Sequence, residues 1–219
     1  MARSEHLSYS GPVQRPWDAR LARRLVTPLK DSWVTPNHLT TVRLGVGLAA
    51  AAAFVPGTYG WSNLAALLLI LSNFLDHTDG ELARMTGKSS RIGHIYDLAS
   101  DAAVTILLFI AIDVGVDAFP ESAVPIPAVA LGLIAGCAVA LVFFLRMRIE
   151  DVAGKAGIQQ AALGGFEVED VLYLLPLVAL SDAVTPFLIA AALCAPLFAV
   201  WVAIDYRRVL HSRAPRVAR

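Results

Sequence analysis

Apolar residues fall in long uninterrupted runs along this chain, and polar residues collect in the gaps between them. Runs near or above the roughly 20 residues that cross a bilayer predict transmembrane helices. Six spans are read, at about 40–56, 61–84, 93–115, 124–147, 166–181 and 183–206. Pro36 and Asn37 turn the chain into the first span, Pro56 and Gly57 mark the turn after it, and Gly87 is a helix stop after the second. The segment before the spans has another pattern. Pro16 suits the first turn of a helix, and Trp17, Leu21, Leu25 and Leu29 recur every four residues, with Asp18, Arg20, Arg23, Arg24 and Lys30 mostly on the other faces. This predicts an amphipathic helix in the headgroup region. The same pattern fits a solvated helix packed on the protein, and the two are compatible. Pro28 ends or kinks it early.

The predicted fold is an all-α membrane protein, with six transmembrane helices preceded by an N-terminal amphipathic interfacial helix and both termini cytoplasmic. Residues 1–35 form a disordered N-terminus and that helix, 36–206 the transmembrane catalytic domain, and 207–219 a basic cytoplasmic tail. The first fourteen residues lack an apolar core, so no cleavable signal peptide is expected.

Composition supports the membrane reading: 57% of the 219 residues are hydrophobic, against about 45–50% in soluble domains. Cys137 and Cys194 lie inside apolar runs and read as small buried hydrophobes rather than a disulfide or metal site. The net charge is zero, but its distribution sets the orientation. All eighteen lysines and arginines fall in alternate segments: the N-terminus, the turn between spans two and three, the loop after span four and the C-terminal tail. The intervening loops, 56–59, 113–124 and Asp182, carry none. The positive-inside rule then makes both termini cytoplasmic, together with the turn between spans two and three.

That turn is flanked by the chemistry. Asp76, Asp79, Asp97 and Asp101 fall within 26 residues, and carboxylates bordering a bilayer core are costly and functional by default. Asp76 and Asp79 share a helical face with Gly80 and Ala83, whereas Glu81 points elsewhere as a solvated charge. Gly93, Asp97 and Asp101 share a face of the next span. Helices joined by a short turn are antiparallel neighbours, so the two faces can oppose each other. At 1.5 Å per residue, the two descents meet at similar depth, towards one surface of the membrane. Four opposed carboxylates need a cation between them. Hard oxygen donors of this number suit Mg²⁺, Mn²⁺ or Ca²⁺, and two ions would neutralise them. Mg²⁺ often completes its shell with substrate phosphate, and Arg84 offers a fixed cation beside it. Intramembrane carboxylates also serve divalent cation transporters, but those place charge near the midplane. Here the charge lies near one surface, which favours phosphoryl transfer.

The pattern D-x2-D-G-x2-A-R-x8-G-x3-D-x3-D is present at every fixed position: Asp76, Asp79, Gly80, Ala83, Arg84, Gly93, Asp97 and Asp101. In this the chain resembles the CDP-alcohol phosphotransferase family. The six-span plan, the amphipathic helix and the Thr35-Pro36-Asn37-x-Leu39-Thr40 opening of span one are similar to that family too. The resemblance implies transfer of a phosphoalcohol group from a CDP-alcohol to an acceptor hydroxyl, with release of CMP, in phospholipid biosynthesis. It implies Asp76, Asp79, Asp97 and Asp101 as ligands of two Mg²⁺ or Mn²⁺ ions, with Ca²⁺ as an inhibitory occupant. It implies Asp101 as general base, and Gly80, Ala83, Arg84 and Gly93 as the CDP site, without a covalent enzyme intermediate. The implied partners are a CDP-alcohol donor, an alcohol acceptor and membrane lipid, with no nucleic acid. The expected assembly is a homodimer in the cell (inner) membrane, with its site at the cytoplasmic face.

Substrate choice is less legible. Arg146 and Arg148 resemble the basic R-x-R-x-E stretch that contacts phosphorylated acceptors in some relatives, and positive-inside topology would place arginines there in any case. Glu167, Glu169 and Asp170 put acid where those relatives are basic, which argues for a neutral or cationic alcohol; carboxylates also favour helix N-termini. His77 is expected to face away from the site. Arg43 is expected to cap the turn or to meet a phosphate. The short chain favours CDP-diacylglycerol as donor, the alternative being a soluble CDP-alcohol and a lipid hydroxyl.

Overall fold

The computed structural model describes residues 17–88, 90–116, 129–153, 172 and 174–213. Among them are seven α-helices and no strand: α1 (Trp17–Val26), α2 (Pro36–Phe54), α3 (Tyr59–Thr86), α4 (Arg91–Val116), α5 (Ala130–Ala153), α6 (Leu175–Leu180) and α7 (Val184–Arg213). Three of these, α4, α5 and α7, are both long and apolar enough to cross a membrane. α2 and α3 coincide with the first two predicted spans, but polar residues lower their hydropathy. The predicted fifth span is represented only by Leu172, the turn at Leu174 and α6. Glu167, Glu169, Asp170, the start of span four, most of the loop before it and the end of the tail lie outside the described residues.

Local signals set the helix boundaries. Pro36 opens α2, and the Thr35 N–H donates to His38 Nδ1 at 3.2 Å, which satisfies one amide at that end. α1 stops at Val26, and Thr27–Leu29, with Pro28 inside, forms a single 3₁₀ turn. Gly87 ends α3 at φ +66°, and its N–H reaches back to the Ala83 carbonyl at 2.9 Å; a side chain there would be strained.

Helix packing differs from the hairpin expected of spans two and three. α3 and α4 are joined by a short turn, yet they barely touch, because α2 lies between them and packs on both. Small residues permit this wedge. A Cβ on Gly47 would stand 2.7 Å from a Val104 methyl and 3.1 Å from Ser72 Oγ, so only glycine lets the α2 backbone in. Ser72 Oγ also donates to the Arg43 carbonyl at 3.1 Å, tying α3 to α2. Beyond α4 the bundle continues through α5 to α7, while α1 and α6 lie on α3. The main core joins Ala50, Phe54, Leu69, Phe109, Ile112, Leu175 and Leu188.

The outer faces are apolar as well: Leu193, Leu197 and Val200 on α7 are 66%, 74% and 60% exposed, as expected of a surface solvated by lipid. Cys137 and Cys194 belong to these outer faces. Both are free and exposed, which corrects the expectation of buried cysteines; in a bilayer, outward positions are as apolar as core ones. α1 packs Ala22 and Val26 inward and leaves Leu21, Leu25, Arg20, Arg23 and Arg24 exposed. Of its leucine stripe, Leu21 and Leu25 are exposed and Leu29, in the 3₁₀ turn that follows, is half-buried.

Three boundaries are corrected. α5 runs on to Ala153, so Arg146 and Arg148 are helical rather than in a loop. α7 extends to Arg213, carrying Arg207 and Arg208 in helix rather than tail. Asp113 belongs to α4, where it is buried and accepts the Gly132 N–H of α5 at 2.9 Å.

Candidate active site

The wedge of α2 between α3 and α4 builds the site. α3 carries Asp76 and Asp79, and α4 carries Asp97 and Asp101, each pair on one face through its i,i+3 or i,i+4 spacing. α2 presents Thr40 and Arg43, again three apart, to the gap between them. Arg43 Nη1 donates to Asp76 Oδ1 at 2.9 Å and to Asp101 Oδ1, while Nη2 donates to Asp97 Oδ1 at 2.9 Å. Nη2 also reaches the Asp97 carbonyl at 3.3 Å. Asp76, Asp97 and Asp101 thus converge, each offering an oxygen within 4.8 Å of the others. Asp79 is held differently: it is buried, and Thr40 Oγ1 donates to its Oδ2 at 2.7 Å.

Access is one-sided. The Arg43 side chain is only 6% exposed, whereas Asp76, Asp97 and Asp101 are 39%, 35% and 43% exposed. The three carboxylates line a cavity of about 1240 Å³ whose wall comes mainly from α3, α4 and α5. Leu69, Ile70, Leu108, Phe143, Phe144 and Met147 make much of its wall apolar, and Leu21 of α1 reaches it. Three carboxylates against one guanidinium leave a formal charge of −2, which a divalent ion would neutralise. Oxygen donors this close, with faces open to a cavity, fit Mg²⁺ or Mn²⁺.

Other expected residues are placed as follows. Arg84 is exposed and ion-pairs with Glu81 at 3.0 Å, and a Cβ on Gly80 would rest 3.6 Å from its guanidinium. Glu81 is buried, not solvated as expected; the ion pair with Arg84 offsets part of its desolvation. Gly93 has a packing reason of its own, because a Cβ there would stand 2.7 Å from Asn37 Oδ1. Gly80, Ala83, Arg84 and Gly93 are not among the residues lining this cavity, and neither are Arg146 and Arg148, although Met147 between them is. Arg146 is buried and Arg148 pairs with Asp151 at 3.5 Å. His77 lines the cavity instead of facing away, as does His94. Arg43 does not cap the turn; it meets three carboxylates. Its role was missed because a lone arginine near a span end also satisfies topology. The available signal was its i,i+3 spacing from Thr40, which puts both on one face of α2.

The sequence matches the CDP-alcohol phosphatidyltransferase family over residues 33–205. The chain belongs to that family of transferases, and with its three membrane-length apolar helices it is an integral membrane protein. It is 33% identical over 100 residues to cholinephosphotransferase 1 of Danio rerio, covering 41% of this chain and 26% of that one. It is 34% identical over 87 residues to archaetidylinositol phosphate synthase of Pyrococcus horikoshii, covering 40% and 45%. It is 33% identical over 82 residues to a CDP-diacylglycerol–glycerol-3-phosphate 3-phosphatidyltransferase of Cereibacter sphaeroides, covering 37% of each. The matched stretches thus span less than half the length of these relatives. The fold is similar to that of Mycobacterium tuberculosis phosphatidylinositol phosphate synthase with CDP-DAG bound, at TM-score 0.59 and 22% identity, covering 91% of this chain and 98% of that one. The same enzyme in complex with manganese and citrate superposes at TM-score 0.55 and 22% identity, covering 92% of each.

Proposed function

We propose that the protein transfers a phosphatidyl group from CDP-diacylglycerol to the hydroxyl of an acceptor alcohol and releases CMP. The carrying observation is the convergence of Asp76, Asp97 and Asp101 on a cavity whose remaining wall is largely apolar. A strongly anionic centre beside space suited to hydrocarbon matches a substrate with a charged headgroup and a lipid tail. The site works at the cytoplasmic face of a multi-pass protein of the cell membrane, by the positive-inside distribution of its basic residues. The assembly we propose is a homodimer.

Asp76, Asp79 and Asp97 would hold the metal, with Asp101 near or on a second ion. Bound Mg²⁺ or Mn²⁺ would supply Lewis-acid stabilisation of the diphosphate and of the departing CMP. Asp101 takes the proton of the acceptor hydroxyl; the oxygen bonds to phosphorus, and the bond from phosphorus to the CMP oxygen breaks with its electron pair. Thr40 fixes the Asp79 carboxylate through its hydroxyl. Arg84, exposed at the end of α3 beside Gly80, is the cation for the diphosphate, with Ala83 and Gly93 completing the nucleotide site. Arg146 and Arg148 remain proposed acceptor contacts.

A second reading reverses the lipid: a small phosphoalcohol passes from a soluble CDP-alcohol to a lipid hydroxyl. The stretch shared with cholinephosphotransferase 1 supports it. The test is CMP release from radiolabelled CDP-diacylglycerol with Mg²⁺ and a panel of water-soluble alcohols. Release with one of them supports the first reading. Release only from a small CDP-alcohol given a lipid hydroxyl supports the second, and metal-dependent ion flux without CMP release would replace both with transport.

A further inference from the structure

The guanidinium of Arg43 and a divalent ion would draw on the same three carboxylates. Arg43 contacts Asp76 and Asp101 through one nitrogen and Asp97 through the other, bridging carboxylates from two helices that hardly touch each other. Those three residues are the ones whose oxygens lie close enough together to hold an ion. The remaining nitrogen, Nε, is buried with no hydrogen-bond partner among the described residues. A guanidinium with one buried donor unsatisfied is held by charge more than by a complete bonding shell.

We infer that Arg43 is a resident counter-cation that competes with the divalent ion: it gathers the three carboxylates in the metal-free protein and yields at least two of its three contacts when metal binds. The inference rests on the metal-site reading proposed above. Two physical reasons favour the exchange. An ion bound at about 2.1 Å from oxygens of these three carboxylates competes for the same negative charge that holds Arg43, which contacts each of them through Oδ1. A single and a double positive charge a few ångströms apart also repel strongly in a partly buried site. Arg43 is therefore a positioning residue. It prevents mutual repulsion from scattering the empty site, and it lowers metal affinity in return.

The test uses full-length protein in detergent, stripped of metal with a chelator and dialysed, with free Mn²⁺ followed by its paramagnetic resonance signal. Arg43→Gln should bind Mn²⁺ more tightly by about tenfold or more, because a repelling charge has gone. The same variant should unfold at a lower temperature without metal and gain more from Mn²⁺. Arg43→Lys keeps the charge and should stay within about threefold of wild type. Unchanged or weaker Mn²⁺ binding in Arg43→Gln, or equal tightening in Arg43→Lys, would overturn the inference and leave the metal site standing. Absence of Mn²⁺ binding in every protein, wild type included, would overturn the metal site and the inference together. If Arg43→Gln does not fold, a crystal structure of the wild type with Mn²⁺ decides. Arg43 should have left at least two carboxylates, and retention of all three contacts beside a bound ion refutes the competition.

Discussion

Replacing Thr40 by valine removes one hydroxyl and almost no volume, so it isolates the hydrogen bond to Asp79. Both residues are buried, the bond is 2.7 Å long, and the acceptor is a carboxylate. The hydroxyl also lies 3.2 Å from the Pro36 carbonyl, but its single proton goes to the nearer, charged oxygen. Hydrogen bonds between membrane helices average about 0.6 kcal/mol and reach about 1.7. A charged acceptor roughly doubles the strength, so Thr40→Val should cost about 1–2 kcal/mol. For a chain of this size that is a fall of about 2–8 °C in the unfolding midpoint. Thr41→Val is the internal control. Its hydroxyl is exposed and bonds the Asn37 carbonyl at 2.8 Å and the Tyr96 hydroxyl at 3.0 Å, so its loss should cost under about 0.5 kcal/mol. Both variants are measured by thermal unfolding in detergent and by CMP release. Because Thr40 orients a proposed metal ligand, transfer should fall about tenfold in Thr40→Val and little in Thr41→Val. Equal stability of the two variants would refute the assignment of the Thr40–Asp79 bond as a structural tie of the site.

The remaining predictions concern the aspartates and the wedge. Asp101→Asn should cut transfer by about 10²–10⁴-fold while CDP-diacylglycerol binding changes little, and near-normal turnover would remove Asp101 as base. Asp76→Asn should weaken Mn²⁺ binding by about tenfold or more in the same resonance titration, and an unchanged titration would take Asp76 out of the ligand set. Gly47→Val should drive a methyl into Val104 and Ser72 and destabilise by about 1–3 kcal/mol, with α2 displaced and transfer reduced. Wild-type stability in that variant would contradict the close approach of α2.

Much of the site is legible in the sequence because the pattern is local and dense. The spacing of Asp76, Asp79, Asp97 and Asp101 follows helical periodicity, so neighbours in space are also near in the chain. Helix ends were similarly legible at Pro36, Pro28 and Gly87, where the backbone itself imposes the stop or start. The cysteines were misread for a reason general to bilayers: hydropathy marks a span but does not tell lipid-facing from core-facing positions. Glu81 and His77 were misassigned because helical phase gives a direction around the axis, and what stands in that direction depends on neighbouring helices.

By itself, then, the sequence determined the family, the helical class, most helix boundaries and the identity of four carboxylates clustered on two successive helices. These are properties of a single strand of chain and its solvent. Only the tertiary structure decided that α2 separates α3 from α4, and with it the partition of the aspartates into a trio around Arg43 and one carboxylate held by Thr40. Those contacts join residues 33 to 58 positions apart. They depend on how closely Gly47 lets two helices approach, and no periodicity within either helix encodes that distance.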